Sequence, residues 1–253
     1  MFNELAKLRT ILIDCIVILL ITTVFFFFFT FKNVMLFDVQ VPIPVISANS
    51  LTLTVFRAME AHLLPQNVIL VATGPLSALN AQTLVAVLIG LFVTLPFFIY
   101  KFIQYLLPAL LPREQKTVFL LMIPAFLLFL SGVWFSYTYV MPPAFAFLFG
   151  YAANIGIVPI FSVEDFIATT FLFVVSSGLM FLMPIFMVLF SMVGIIPVSF
   201  WKKNWRYAQF FFLVFSAIIT PDGSGVSMVL LTLPLVGLYV LGIVAAHVVS
   251  RKE

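Results

Sequence analysis

Long apolar runs that are almost free of charge are the feature that most restricts how this chain can fold. Of its 253 residues, 64% are hydrophobic and 8% are charged, whereas a soluble domain has about 25% charged residues. So few charges could not cover a surface that faces water. We therefore predict an all-α membrane protein whose surroundings are mostly the lipid bilayer.

The spacing of the apolar runs predicts six transmembrane helices in a single domain, residues 1–253. The predicted spans are about residues 10–30, 80–104, 117–139, 164–192, 205–220 and 226–249. The fifth span has about 16 residues, or roughly 24 Å of helix, which is less than the thickness of a typical bilayer core. The stretch 31–79 is too polar and too broken to span, although Leu51 to Leu64 favours a short amphipathic helix at the interface.

Basic residues indicate the orientation of these spans. Ten of the twelve Lys and Arg residues fall in the N-terminus, the second and fourth loops and the C-terminus, and only Lys32 and Arg57 fall in the opposite set of segments. Because cytoplasmic loops are enriched in Lys and Arg, both termini are predicted to lie on the inner side of the membrane.

The sequence disfavours metal binding, catalysis and nucleic-acid binding. The two histidines, His62 and His247, are predicted near opposite membrane faces and could not share a metal ion. Cys15 is the single cysteine, the basic residues form no nucleic-acid patch, and no nucleotide-binding or hydrolase motif occurs. We therefore expect no enzyme, no metal, no cofactor and no nucleic-acid partner.

The middle of every predicted span lacks an ionisable residue, which disfavours a proton pump or an ion-coupled carrier. A scaffold or receptor that binds another polypeptide fits better. The alternatives are a small-molecule carrier or a structural membrane subunit of an energy-converting complex.

The second loop, residues 105–116, contains the one acidic residue on the inner loops between spans, Glu114. Its carboxylate can pair locally with Arg113 or Lys116. Alternatively, it can accept a bidentate hydrogen bond from the guanidinium of a partner, for which Arg is better suited than Lys.

Eight short motifs in a fixed order resemble the TatC family, the multi-spanning receptor subunit of the twin-arginine protein translocase. They run from about Asn3 to Ala246, and each is weak alone. The motifs are Leu5-Ala-Lys-Leu8-Arg9, Thr73-Gly-Pro75-Leu, Pro96 with Tyr105-Leu-Leu-Pro108 and Glu114, Gly132 to Tyr137 with Pro142, Gly178 to Pro184, Gly194-Ile-Ile, Arg206-Tyr207 and Thr220-Pro-Asp222.

The resemblance implies a cup-shaped fold of six transmembrane helices with two short final helices. It also implies that the protein recognises twin-arginine signal peptides on folded cargo and recruits single-span proteins of the TatA/TatB type. The proton-motive force drives transport in this family, no cofactor is expected, and a homo-oligomer is expected.

Individual positions carry over from the resemblance. Glu114 matches the loop glutamate that contacts the arginine pair, Tyr105 lies beside it, and Leu8 and Arg9 match the N-terminal part of the site. The positions that match structural motifs are Pro75, Pro96, Pro108, Pro142, Pro184 and Asp222.

Several positions depart from the family pattern. The N-terminal glutamate of the family falls on Lys7, and we hypothesise that Glu4, about one turn earlier, replaces it. Two further family acids fall on Leu182 and Val240. The first is associated with partner helices, so recruitment could instead use polar residues such as Ser177 or Gln209.

Phenylalanine occurs 32 times, which suggests an AT-rich organellar genome. The location we expect is the mitochondrial inner membrane, with a bacterial plasma membrane or a thylakoid as the other possibilities.

Overall fold

The computed structural model describes residues 2–36, 39–46, 50–65, 68–106, 115, 118–154, 156, 160–220 and 225–250, and these ranges are mostly helical. The α-helices are α1 (Phe2–Phe28), α2 (Leu51–Leu63), α3 (Ser77–Leu106), α4 (Met122–Phe135), α5 (Met141–Asn154), α6 (Val163–Phe181), α7 (Met183–Met192), α8 (Val198–Lys203), α9 (Trp205–Ile219) and α10 (Val226–Ser250). The strands are β1 (Phe29–Leu36), β2 (Val39–Ile46), β3 (Ile69–Val71) and β4 (Ile160–Ser162).

Five helical segments of the described chain are long and apolar enough to cross a membrane. They are Lys7–Phe28, Ser77–Tyr105, Val118–Ala152, Val163–Met192 and Val226–Val249. A further apolar helix, Trp205–Ile219, is shorter. Burial differs widely among them and is lowest in the first segment and highest in the fourth. The protein is therefore a multi-pass membrane protein, and few of the described side chains of α1 are buried.

A π-helix, Ser136–Val140, joins α4 to α5 without a break. The N–H of Met141 donates to the carbonyl of Ser136, five residues earlier, and the next two residues are Pro142 and Pro143. In a regular α-helix the proline rings would clash with carbonyls four residues back. The wider turn lets the helix continue beyond the predicted span 117–139 as far as Asn154.

A β-hairpin follows α1 directly. Strands β1 and β2 pair antiparallel, with Phe31 opposite Pro44 and Asn33 opposite Pro42. The two prolines are two residues apart, so their nitrogens point to the same side of the strand. Because proline has no N–H to donate, a strand loses no hydrogen bond to its neighbour when its proline nitrogens face away from that neighbour.

The chain divides into two compact units, and each is described separately. The first unit comprises Met1–Phe98 and Val158–Phe171. Within it, the amide of Gln82 on α3 donates to the hydroxyls of Ser50 and Thr52 at the start of α2, over 3.2 and 3.4 Å. A Cβ added to Gly90 of α3 would lie 3.0 Å from Oγ1 of Thr23 on α1. Small and polar residues thus let the helices of this unit approach closely.

The second unit comprises Ile99–Ile157 and Leu172–Glu253. Here α7 and α10 cross closely at Gly242, where an added Cβ would lie 2.7 Å from Sδ of Met187 and 3.1 Å from Cα of Pro184. The hydroxyl of Tyr239 on α10 donates to the carbonyl of Trp201 over 2.8 Å and fixes α8 against α10.

Candidate functional site

The two sides of the predicted receptor loop are held by one buried cluster. Ile103, in the last turns of α3, is 3% exposed, and Val118, the first described residue of the following span, is fully buried. Both belong to a cluster that also contains Val188, Leu189, Met192 and Ala246. The ends of α7 and α10 therefore anchor the chain immediately before and after the loop, which is the support that a binding loop needs.

Aromatic pairs add to this anchoring. The rings of Tyr100 and Phe119 meet edge to face at 6.0 Å, and so do those of Phe102 and Phe186. Such pairs contribute about 0.5–1.5 kcal/mol each beyond the area they bury. The last two turns of α3 are consequently fixed both to the segment after the loop and to α7.

Only part of the predicted signal-peptide site lies within the described residues. Tyr105 is half-buried in the last turn of α3, and Leu8 and Arg9 are half-buried and exposed positions of α1. Glu114 and the side chain of Glu4 lie outside the described residues. Tyr105 belongs to the second unit and the α1 residues to the first, so the joint site stays a prediction.

Four of the motif prolines lie within the described residues, at turns, helix starts or inside helices. Pro75 occupies the second position of a turn in which the N–H of Ser77 donates to the carbonyl of Gly74 over 3.2 Å. Pro142 follows the π-helix, and Pro96 lies inside α3. Pro184 is buried at the start of α7. Pro108 and Asp222 lie outside the described residues.

A polar network lies beside the Pro75 turn. Thr73 and Ser162 share a hydrogen bond of 3.2 Å, and the amide of Asn80 donates to Oε1 of Glu164 over 3.1 Å. Strands β3 and β4 pair in parallel in the same region, with Val71 opposite Ser162. Glu164 also lies in the first turn of α6, where its charge complements the helix dipole.

The positions discussed for partner helices differ in their accessibility. Ser177 is fully buried, and its hydroxyl donates to the carbonyl of Gly132 over 3.0 Å. Ser177 is therefore not accessible to a partner helix in this structure. Leu182 is 8% exposed, whereas Val240 on α10 is 54% exposed and Gln209 on α9 is half-buried.

Two features of this part of the fold were missed from the sequence. One is the hairpin that follows α1, because Pro42 and Pro44 suggested a broken segment although apolar residues alternate with Gln40 and these prolines along β2. The interlocking of Gly132 with Phe181 and of Gly178 with Phe129 was also missed. Its signal was present, since both glycines lie in the quoted motifs.

A multi-pass helical membrane protein that anchors the chain before and after residues 107–117 in one buried cluster is the class that the fold and the site define. The family model described as Sec-independent protein translocase protein (TatC) matches residues 3–234. This chain belongs to the TatC family.

Individual relatives and solved structures agree with this assignment. The TatC protein of Cenarchaeum symbiosum is 36% identical over 195 residues, which cover 77% of this chain and 74% of the relative. That of Koribacter versatilis is 31% identical over 199 residues, covering 79% and 72%. A crystal structure of the twin-arginine translocase receptor TatC superimposes with a TM-score of 0.75 at 26% identity, covering 98% of this chain and all of that one.

Proposed function

We propose that this chain is the receptor subunit of a twin-arginine translocase, a transport component rather than an enzyme. It binds twin-arginine signal peptides and moves folded proteins across an energy-transducing membrane, driven by the proton-motive force. The observation that carries the proposal is the match to the TatC receptor structure over 98% of the chain, together with the family match over residues 3–234.

The proposed contact for the signal peptide is the carboxylate of Glu114. It is the only acid on inner loops that are otherwise basic, and a guanidinium can bind a carboxylate through two parallel hydrogen bonds. The anchoring of Ile103 and Val118 in one cluster supports the proposal, because it restricts where the intervening loop can reach.

The remaining members of the proposed site are Tyr105 and the N-terminal residues Leu8, Arg9 and Glu4. An exposed Arg9 repels an incoming arginine pair, so the acid at Glu4 offsets that repulsion if the N-terminus contributes. Tyr105 offers a ring face on which a guanidinium can stack.

Replacement of Glu114 by alanine tests the proposal directly. We expect the variant to lose most crosslinking to a twin-arginine signal peptide, because breaking a partly desolvated charged pair costs about 2–5 kcal/mol. Glu60→Ala, on α2 and predicted to lie on the outer side, is the matched control. Unchanged crosslinking in the Glu114 variant would remove the central site assignment.

For partners, we propose single-span TatA/TatB-type proteins and further copies of this chain. For the location, we propose the mitochondrial inner membrane, supported by the phenylalanine-rich composition. Purification of the tagged protein from fractionated membranes tests both proposals. The first requires TatA/TatB-type proteins or further copies of this chain to be recovered with it. The second requires the protein to be found in the mitochondrial inner-membrane fraction.

A further inference from the structure

An open apolar cleft lies where α7, α8, α9 and α10 meet in the second unit. Its volume is about 380 Å³, and it is lined by Met183, Phe200, Trp201, Asn204, Tyr207, Ala208, Phe211 and Tyr239. Three of the aromatic side chains on its wall remain strongly exposed, with Phe200 at 49%, Phe211 at 53% and Tyr207 at 75%. Within a membrane, such a wall must contact either lipid or another apolar chain.

The size of the cleft favours the narrower of these occupants. A transmembrane helix with its side chains is about 10–12 Å wide and about 30 Å long, so only a few of its side chains could enter the cleft. The volume of about 380 Å³ is in the range of small-molecule pockets. A single acyl chain is narrow enough to lie along the stripe formed by Asn204, which precedes α9, and by Tyr207, Ala208 and Phe211, which follow it at three, four and seven positions on one face of the helix.

Basic residues alternate with the lining residues along the chain. Lys202 and Lys203 follow Trp201 at the end of α8, and Arg206 precedes Tyr207 at the start of α9. All three basic side chains are exposed. No acidic residue occurs anywhere in residues 166–221. The local charge is therefore positive and has no carboxylate of the same segment to neutralise it.

The neighbouring groups are those that proteins place at the level of lipid headgroups. The guanidinium of Arg206 lies 5.7 Å from the centre of the Trp205 ring, and Trp205 is 44% exposed. Tryptophan and tyrosine are enriched at membrane interfaces, where lysine and arginine meet phosphates. Helix α9 is also short, about 22 Å for its 15 residues, so headgroups at this place lie closer to the bilayer centre.

From this combination we propose that the cleft binds an anionic phospholipid of the surrounding membrane. One acyl chain lies against Ala208 and Phe211, and the phosphate lies on Lys202, Lys203 and Arg206. This is a lipid site beyond the receptor function, and it does not depend on Glu114. It gives these cations a role in addition to determining topology.

Photolabelling of the full-length protein in nanodiscs tests the proposal. The probes are phosphatidylglycerol and phosphatidylcholine that carry a photoreactive group on one acyl chain, and labelled peptides are mapped by mass spectrometry. We expect phosphatidylglycerol to label residues of the cleft and phosphatidylcholine to label them weakly. Each cation that is neutralised should weaken labelling about fivefold, since a basic residue near an anionic surface contributes about that factor.

The variants separate the headgroup from the acyl chain. K202Q/K203Q/R206Q removes the charge and should reduce phosphatidylglycerol labelling by about a hundredfold. Ala208→Trp fills the cleft, leaves the charge unchanged and should abolish labelling at the cleft. Arg57→Gln, an exposed cation on α2, is the control and should have no effect.

Three labelling results would overturn the proposal. They are equal labelling by the two lipids, labelling that survives K202Q/K203Q/R206Q, and labelling that survives Ala208→Trp. A photoreactive residue at position 208 that crosslinks to a polypeptide instead of lipid would also overturn it, because a protein partner would then occupy the cleft.

Discussion

At the level of single residues, two glycines let a pair of neighbouring helices approach closely. A Cβ on Gly132 of α4 would lie 2.6 Å from Cγ of Phe181, and one on Gly178 of α6 would lie 2.7 Å from Cε2 of Phe129. The ring of Phe181 thus packs directly on Gly132, and the ring of Phe129 packs directly on Gly178. Because Phe129 and Phe181 are 1% and 5% exposed, neither ring can move away into lipid.

Gly178→Ala should therefore destabilise the protein, although it adds a single methyl group to a helix. Forcing extra volume into a packed core costs about 1–3 kcal/mol, more than the gain of up to about 1 kcal/mol from replacing glycine by alanine in a helix. Thermal unfolding in detergent measures the effect. Gly237→Ala on α10, where nothing lies within 4 Å, is the control and should unfold no earlier than wild type. Equal unfolding temperatures for the two variants would contradict this packing.

At the level of elements, the end of α7 shows how a family motif acts through backbone geometry. Gly194 has φ +74°, the N–H of Ile195 donates to the carbonyl of Phe190 over 3.0 Å, and the N–H of Gly194 donates to that of Ser191 over 3.3 Å. This is a Schellman motif, in which a left-handed residue closes the helix. It turns the chain into the segment that leads to α8.

Gly194→Ala should cost about 1 kcal/mol, because alanine is strained at this φ. No atom lies within 4 Å of the added Cβ, so the cost comes from the backbone alone. Gly194→Asn should recover part of the loss, since asparagine tolerates the left-handed region better. Unfolding temperatures of the two variants check this order, and alanine equal to or better than asparagine would contradict it.

Elements also show what the sequence could not reveal. Hydropathy was enough to place the long apolar helices, because a span of lipid requires one continuous apolar run. Hydropathy did not reveal the hairpin. Its prolines, Pro42 and Pro44, suggested a broken segment, whereas the strand register places both on the same side of β2. Hydropathy also ended the third span near Met141-Pro142-Pro143, because a π-helix that accommodates two prolines leaves no mark in hydropathy.

At the level of the whole molecule, the six-span arrangement with both termini inside stays a prediction from charge. The described chain has five long apolar helices and the shorter α9. The predicted orientation requires Arg57 and Lys203 to lie on opposite sides of the membrane. Both side chains are exposed, so both positions can report on it.

Single cysteines at these two positions test the orientation in a Cys15→Ser background. In intact cells or organelles, a membrane-impermeant maleimide should label R57C and should label K203C only after the membrane is opened. Labelling of both from outside, or of K203C alone, would contradict the predicted orientation.

The candidate site could be predicted only in part, for a reason that belongs to this scale. Motif order identified Tyr105, Leu8, Arg9 and Glu114, but a receptor site depends on how distant segments meet. A hydrophobic pattern does not specify which distant segments come together. Tyr105 and Arg9 belong to different compact units. What the fold adds is the buried anchoring of the chain around the loop, at Ile103 and Val118.

The central claim is that the carboxylate of Glu114 binds the arginine pair of a signal peptide, and a double-mutant cycle measures that contact most directly. Peptides with paired arginines or paired lysines are titrated against wild type and Glu114→Gln, and four dissociation constants are obtained. We expect wild type to prefer paired arginines over paired lysines, because a guanidinium can donate two parallel hydrogen bonds to the carboxylate and an ammonium cannot, and we expect this preference to disappear in the variant. An arginine preference of the same size in both proteins would contradict the claim.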